Sequence, residues 1–339
     1  MKIIYIGQYS EGTTSKMRAD QIASIVPGST FNVIDIHVPF YKSHRLFRSL
    51  GARYKIGPLL WNINSYINKH LTKDYDLIWV DKGVFISKNT LLNIRSKAKT
   101  LIHYTPDMAF YANKTSKFIS NMDTYNYLVT TKSAELSMYE KVADANKIIL
   151  VKQGYDLKVH KAYYSFEEKE DYISFIGLYE PSRGEIVQKI IDQNIHVKLA
   201  GNGWLNFVTK NKNNPYFTFV GNGLFSSEYS KFISKSIMSL GLLSKNFPEF
   251  HTTRTFEIPA CNTALITEVN NETSSFYKTN EAIFYNDTND LIEKIEYFIK
   301  NKQELKEITL NGNKKVISSG CDYKSILQNI LVKASIIHN

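Results

Sequence analysis

Short apolar runs alternate with longer amphipathic stretches along the whole chain. Brief apolar runs bounded by turn residues suit strands buried on both faces, and the stretches between them suit crossover helices. In the first half, "KIIYIG", "NVIDI", "DLIWV", "TLIHY", "YNYLVT" and "KIILVK" read as strands. Apolar residues recur at helical spacing in "GPLLWNINSYINKHL" and "SAELSMYEKV". The second half repeats the scheme with "YISFIG", "HVKLAG", "FTFVG", "IMSLGLL", "ALIT" and "AIFY", and with helices over "SRGEIVQKIID", "SSEYSKFISKS" and "NDLIEKIEYFIKN".

This rhythm predicts an α/β protein of two doubly wound parallel-sheet domains. The expected boundaries are an amino-terminal domain over 1–160, a polar linker over 161–171 and a carboxy-terminal domain over 172–321. A last helix within 322–339, "DYKSILQNILVKASII", is free to pack back on the first domain. Open parallel sheets bind ligands at the carboxyl ends of their strands, so two facing sheets would enclose a central cleft.

The length, 339 residues, agrees with two cores rather than one. A composition of 43% hydrophobic and 22% charged residues excludes a chain that is mainly disordered. The formal charge of +10 favours anionic partners, although the lysines look scattered over a solvated surface. Two cysteines, Cys261 and Cys321, give no case for a disulfide framework, and no Cys/His cluster has zinc spacing, so no metal is expected. The first apolar run is too short for a secretory signal and no run reaches membrane-spanning length. The expected address is the cytoplasm, with contact at the inner membrane face left open.

Chemistry should then sit at strand ends. Gly7 and Gly12 let the first loop pass close to a ligand, and Thr14 or Ser15 is a candidate cap for the next helix. The dinucleotide fingerprint is absent from that loop, which argues against a nicotinamide or flavin cofactor. "HYTPDMAFY" presents His103, Asp107 and Tyr111: Asp107 is either a proton acceptor or a helix cap, and His103 either faces the ligand or packs in the sheet. Arg183 stands at a helix start, where a guanidinium suits a phosphate. Gly201 and Gly203 make either a plain turn or a surface for a ring or phosphate.

The segment "KNFPEFHTTRTFEIPACNTALITE" holds the densest chemistry. Lys245 and Glu249 lie in a loop, Thr252 or Thr253 is a candidate cap, and the helix carries Arg254 and Glu257. Two carboxylates so placed can each accept a pair of sugar hydroxyls while helix amides face a phosphate. Pro259 predicts a short or kinked helix, and Asn262 a left-handed stop.

With these residues in view, the second half resembles the nucleotide-sugar glycosyltransferases of the GT-B fold that carry an E-x7-E motif. It is most similar to the branch of the spore maturation protein CgeB, through "FIGLYEPSR", "AGNGW" and "TRTFEIPAC", with Asn262 in place of that branch's glycine. The resemblance spans roughly residues 170–320 and is thinner in the first half, where "DLIWVDKG", "TTKSAEL" and "VKQGYD" carry it.

The resemblance implies metal-independent transfer of a sugar from a nucleoside diphosphate, UDP first, to a hydroxyl of a carbohydrate or lipid-linked glycan. No separate cofactor and no nucleic acid partner are expected. Glu257 would hold the ribose and Glu249 the sugar, while Arg183 and Lys245 neutralise the diphosphate. Gly12, Thr14, Ser15 and Arg18 fall on the acceptor side. Retention is the expectation, with Asp107 the base if the reaction inverts. A sugar-nucleotide 2-epimerase and a noncatalytic glycan- or nucleic-acid-binding protein are the alternatives.

Overall fold

Each of the twelve apolar runs forms a strand in the computed structural model, which describes residues 1–111 and 113–338. The chain divides into two units, one formed by Met1–Lys152 with the segment from Tyr323 onward, the other by Gln153–Asp322. The first unit holds β1 (Lys2–Gly7), β2 (Thr30–Asp35), β3 (Tyr75–Asp81), β4 (Ala98–Thr105), β5 (Tyr127–Thr130) and β6 (Ile148–Leu150). Its helices are α1 (Thr14–Ile25), α2 (His37–Lys42), α3 (Arg45–Tyr54), α4 (Pro58–His70), α5 (Lys88–Ser96), α6 (Ser116–Ser120) and α7 (Leu136–Tyr139). The second unit holds β7 (Glu170–Ile176), β8 (Val197–Ala200), β9 (Phe217–Gly221), β10 (Ser236–Leu240), β11 (Ala264–Glu268) and β12 (Ile283–Tyr285). Between them run α8 (Pro181–Asp192), α9 (Leu205–Lys210), α10 (Ser226–Lys235), α11 (Arg254–Ala260), α12 (Thr273–Phe276), α13 (Thr288–Lys300) and α14 (Lys302–Ser318). The last helix, α15 (Tyr323–Lys333), packs on α1 in the first unit.

Both sheets are parallel throughout. The first runs β2-β1-β3-β4-β5-β6 and the second β12-β11-β10-β7-β8-β9. In each, the strand order reverses once, between β1 and β3 and between β7 and β10. Helices on opposite faces diverge at such a point and leave backbone ends open to a ligand. The strands are apolar on both faces because helices cover both. In the second unit Ile173, Phe175, Leu199 and Met238 pack with Val187 and Ile190 of α8 and Leu291 and Ile295 of α13.

The polar stretch 161–171 lies inside the second unit rather than between units. Ser165 and Glu168 form a reciprocal capping box there, and β7 begins at Glu170. The preceding His160 is buried. "SAELSMYEKV" gives only a 3₁₀ turn and the four-residue α7. Residues 37–54, given no element from the sequence, form α2 and α3.

The reversal point of the first sheet is filled by protein. Arg18 of α1 is 1% exposed and donates from Nε and Nη2 to Asp81 at the end of β3, at 3.0 and 2.8 Å. Tyr104 and Tyr323 flank the guanidinium at 4.7 and 5.7 Å. Arg18 is therefore a buried structural ion pair, which corrects its assignment to an acceptor surface. Ser15 is likewise buried, its hydroxyl 2.8 Å from that of Tyr5. Thr13, one residue before Thr14, caps α1 by accepting from the Lys16 amide. Gly12, with φ of 76°, supplies the turn before it.

Removing one partner of a buried pair strands the other charge, at about 3–5 kcal/mol, whereas apolar replacement of both is often nearly neutral. Arg18→Met alone should lower stability by about that amount, and Arg18→Met with Asp81→Leu should recover most of it. Urea unfolding followed by circular dichroism measures the difference; equal losses for the single and double variants would contradict the pairing.

Candidate functional site

In the second sheet the reversal point is occupied by arginine without a carboxylate partner. Arg254, the first residue of α11, reaches back to donate from Nη1 to the Ile176 carbonyl at 3.2 Å and from Nη2 to the Leu242 carbonyl at 3.1 Å. Ile176 ends β7 and Leu242 follows β10, so one guanidinium ties together the two strand ends where the order reverses. Among the described residues Arg254 has no salt bridge, and its Nε has no partner.

Arg183, in the first turn of α8, lies against the same Phe175 ring as Arg254, at 6.0 Å compared with 5.6 Å. Burial first, and then the Arg254 charge, pull Arg183 below its ordinary value, while Glu180 and Glu249 oppose this. Arg183 Nη1 pairs with Glu180 Oε1 at 3.0 Å and also donates to the Leu178 carbonyl. Glu180 in turn accepts from the Ser244 hydroxyl at 3.0 Å and the Lys245 amide at 3.2 Å. It thereby joins the loop after β7 to the loop after β10.

Glu249 is half-buried and accepts from the Ser244 amide at 3.0 Å. The Lys245 side chain turns outward to Glu268, 2.6 Å from Oε2. Glu257, 4% exposed, accepts from the Tyr229 hydroxyl at 2.7 Å. His160 Nε2 stands 3.6 Å from its other oxygen. Burial lowers the His160 pKa more than Glu257 raises it, so the ring is neutral at pH 7. Its Nδ1 accepts from the Asp156 amide, which leaves the Nε2 proton directed at Glu257. Burial and the Glu257 charge raise the Tyr229 pKa well above its ordinary value, so that hydroxyl remains a donor.

The helix between these groups is short for the reason its sequence gives. Pro259 has no amide for the Thr255 carbonyl, and the Tyr277 hydroxyl donates to that carbonyl instead at 3.0 Å. Asn262 then takes φ of 57°, ending the turn. Neither expected cap forms. Thr253 holds the cap position with helical dihedrals and no side-chain bond, and the buried Thr252 Oγ1 has no partner among the described residues. The preceding loop is instead pinned by His251, whose Nε2 accepts from the Gln153 amide while Nδ1 faces Glu272.

Gly201 and Gly203 serve packing. A Cβ on Gly201, at φ of 153°, would lie 1.9 Å from the Gly177 carbonyl oxygen, which also accepts from Trp204 Nε1. A Cβ on Gly203 would crowd Tyr179 at 3.1 Å. The two glycines let the loop after β8 lie directly on the loop that leads into α8 and Arg183.

In the first unit, His103 belongs to the core, not to a ligand surface. It is fully buried in β4, bonded through Nε2 to the Lys82 carbonyl and packed on Phe118 and Tyr125. Asp107 is half-exposed and pairs with Lys82 Nζ at 2.7 Å. Desolvation opposes its charge, but Lys82 wins and holds the carboxyl below its ordinary value. Lys82 itself adopts φ of 65°, a left-handed conformation that a lysine takes at some cost. Tyr111, exposed, follows Ala109 and Phe110, whose amides donate to buried Glu135. Among the described residues no three His, Cys, Asp or Glu side chains group to hold a metal. No helix among them is long and apolar enough to cross a membrane.

The residues that sequence reading left without a role are Glu180, His160, Tyr229, His251 and Lys82. Glu180 had a signal, an acid directly before a proline-started helix. His160 was hidden directly before a stretch whose charge suggested a linker.

Residues 183–332 match the family model described as glycosyl transferase-like. No curated protein matches the chain. Among solved structures it is similar to Anabaena HepE in complex with UDP and glucose, at 13% identity and a TM-score of 0.70, covering 99% of this chain and 100% of that one. Sucrose-phosphate synthase from Thermosynechococcus elongatus gives the same identity and TM-score, with 99% of each chain covered. The S. aureus MnaA–UDP co-structure follows at 11% identity, TM-score 0.56, with 100% and 98% covered. The fold is thus GT-B, an α/β fold with two Rossmann-like parallel-sheet units.

Burial depresses the His103 pKa from 6.5 to about 4. The unfolded chain takes up that proton first, so stability is intact above pH 6.5 and falls as the pH drops toward 4. The loss reaches about 3 kcal/mol. His103→Gln should flatten this part of the stability profile in denaturant titrations at several pH values; an unchanged slope would contradict the buried neutral imidazole.

Proposed function

We propose that this chain is a glycosyltransferase that moves a sugar from a nucleoside diphosphate donor to an acceptor hydroxyl, with the donor held by the second unit. The observation that carries the reading is the Arg254 guanidinium, fixed between two strand-end carbonyls at the reversal point and lacking a carboxylate. A half-buried guanidinium without a counterion favours an anionic ligand, and a diphosphate supplies one. Arg183 adds a second guanidinium on the same ring, its charge shared with Glu180. HepE and MnaA were solved with UDP, which makes UDP the first donor base to test.

Glu257 takes the ribose in this reading. A carboxylate offers about four lone-pair directions; Tyr229 occupies one and His160 addresses another, leaving acceptors for two hydroxyls in a fixed rotamer. Glu249 takes the sugar. As the bond from the anomeric carbon to the phosphate oxygen breaks, the electron pair passes to the diphosphate, and preorganised arginines stabilise it there without a metal. The acceptor oxygen bonds to the anomeric carbon, and its proton goes to the departing phosphate oxygen, on the same face, with retention. Asp107 is a poor base because Lys82 lowers its pKa, and this supports a proton path through the phosphate.

Titration calorimetry with UDP tests the assignment. Arg254→Met should weaken binding at least about tenfold, or about 1.4 kcal/mol, and Arg254→Lys less. Glu257→Ala should also weaken UDP binding, whereas Asp107→Ala should leave both binding and transfer unchanged. Chelator should alter neither. Folded protein that binds neither UDP nor another nucleoside diphosphate, or equal binding losses for Glu257→Ala and Asp107→Ala, would overturn the reading; free sugar nucleotide as product would identify an epimerase.

A further inference from the structure

The positive charge of this protein is concentrated in one segment. Between Asp35 and Asp74 there is no acidic residue, while lysine and arginine occupy seven positions, against a net +10 for the whole chain. Five of them, Lys42, Arg45, Arg48, Arg53 and Lys55, lie on or beside α3. Among the described residues none of these five is in a salt bridge. The lysines of the chain are scattered, as its sequence suggests, but three of its few arginines share this ten-residue helix.

The same helix is amphipathic in the opposite sense to an ordinary surface helix. At about 100° per residue, Leu46, Phe47, Leu50 and Tyr54 fall within one arc of about 100°. Yet the residues packed inward are from the other side: Gly51, whose absent side chain admits Leu59 of α4, and Ala52 and Arg48. The apolar arc faces solvent, with Leu46 65%, Phe47 49%, Leu50 55% and Tyr54 54% exposed. Trp61 on α4 is 72% exposed and Ile56, between the helices, 58%. Isolated exposed apolar residues are ordinary, but an unbroken apolar arc flanked by unpaired cations is not.

We propose that α3, with Trp61 of α4, is a docking surface for an anionic lipid bilayer. An apolar arc of Leu, Phe and Tyr inserts at the boundary between headgroups and acyl chains, the aromatic residues suit that boundary, and arginines flanking the arc meet lipid phosphates. The absence of any acid over the segment removes the repulsion that would oppose approach to a negative surface. The surface lies wholly in the first unit and does not rest on the donor chemistry assigned to the second. It would bring a lipid-linked acceptor and the enzyme to the same plane.

Trp61 provides the measurement, since the other two tryptophans, Trp79 and Trp204, are buried. The full chain should co-sediment with vesicles containing phosphatidylglycerol, with a blue shift of Trp61 emission that Trp61→Phe abolishes. It should bind pure phosphatidylcholine vesicles at least about tenfold more weakly, and raised salt should weaken anionic binding. Phe47→Glu with Leu50→Glu, both exposed, should reduce vesicle binding at least about tenfold while UDP binding and thermal unfolding stay unchanged. Arg45→Glu with Arg53→Glu should do the same. Equal binding to neutral and anionic vesicles, retention by both double variants, or no vesicle binding at low salt would overturn the proposal. So would a dimer in sedimentation velocity that the Phe47/Leu50 variant dissolves without any vesicle binding, because the arc would then belong to a second copy. Loss of UDP binding with vesicle binding intact would instead count against the donor reading alone.

Discussion

Everything assigned to the second unit depends on how one guanidinium is held. Arg254 spends its two terminal nitrogens on the Ile176 and Leu242 carbonyls. These are backbone groups at the ends of adjacent parallel strands, so the charge is positioned by the sheet itself and not by a mobile side chain. Carbonyl dipoles orient the cation but do not cancel it. The cation is therefore fixed in space and still attractive to an anion, which is what electrostatic preorganisation requires.

The comparison with Arg18 sharpens this. Both arginines sit where a parallel sheet reverses its strand order, and both stack on aromatic rings. Arg18 meets Asp81 with two nitrogens and is nearly inaccessible, so its charge is neutralised within the protein. Two arginines at the reversal points of two parallel sheets thus have opposite electrostatic character. Arg18 meets the aspartate that closes β3, whereas Arg254 meets backbone carbonyls at the end of β7 and after β10. The first sheet's reversal point is a structural clamp, and the proposed donor chemistry rests on the second.

The strands were legible because each is a short apolar run that needs only local pattern to be found, and α8, α10 and α13 because their apolar period is regular. The helices α2 and α3 were not read, although the apolar residues of α3 recur at helical spacing; that this arc faces solvent while Gly51 packs inward is a tertiary property that spacing does not carry. At the site, "TTRTFEIP" announced a short helix with Arg254 and Glu257, and Pro259 explained its length. Sequence could not show that Tyr277 would satisfy the carbonyl Pro259 leaves, or that His160, some hundred positions before Glu257, would orient it. Nor could it show that His103 and Arg18 are buried and so structural. Residue type names what a side chain can do, but only tertiary placement decides whether its charge is already spent.

The glycines show how the same placement is enforced sterically. Gly201 admits no side chain because the Gly177 carbonyl occupies that volume, and Gly177 and Trp204 share that carbonyl as a junction between two loops. Pressing the loops together seats the start of α8, and with it Arg183 and Glu180. Glu180 then reaches across to Ser244 and Lys245, so the loop after β10 is set by the loop after β7. Because each loop is the support of the next, the arginines and carboxylates of this unit have little freedom to rearrange separately. A ligand meeting them meets a surface already organised, and the binding energy is not consumed in ordering it.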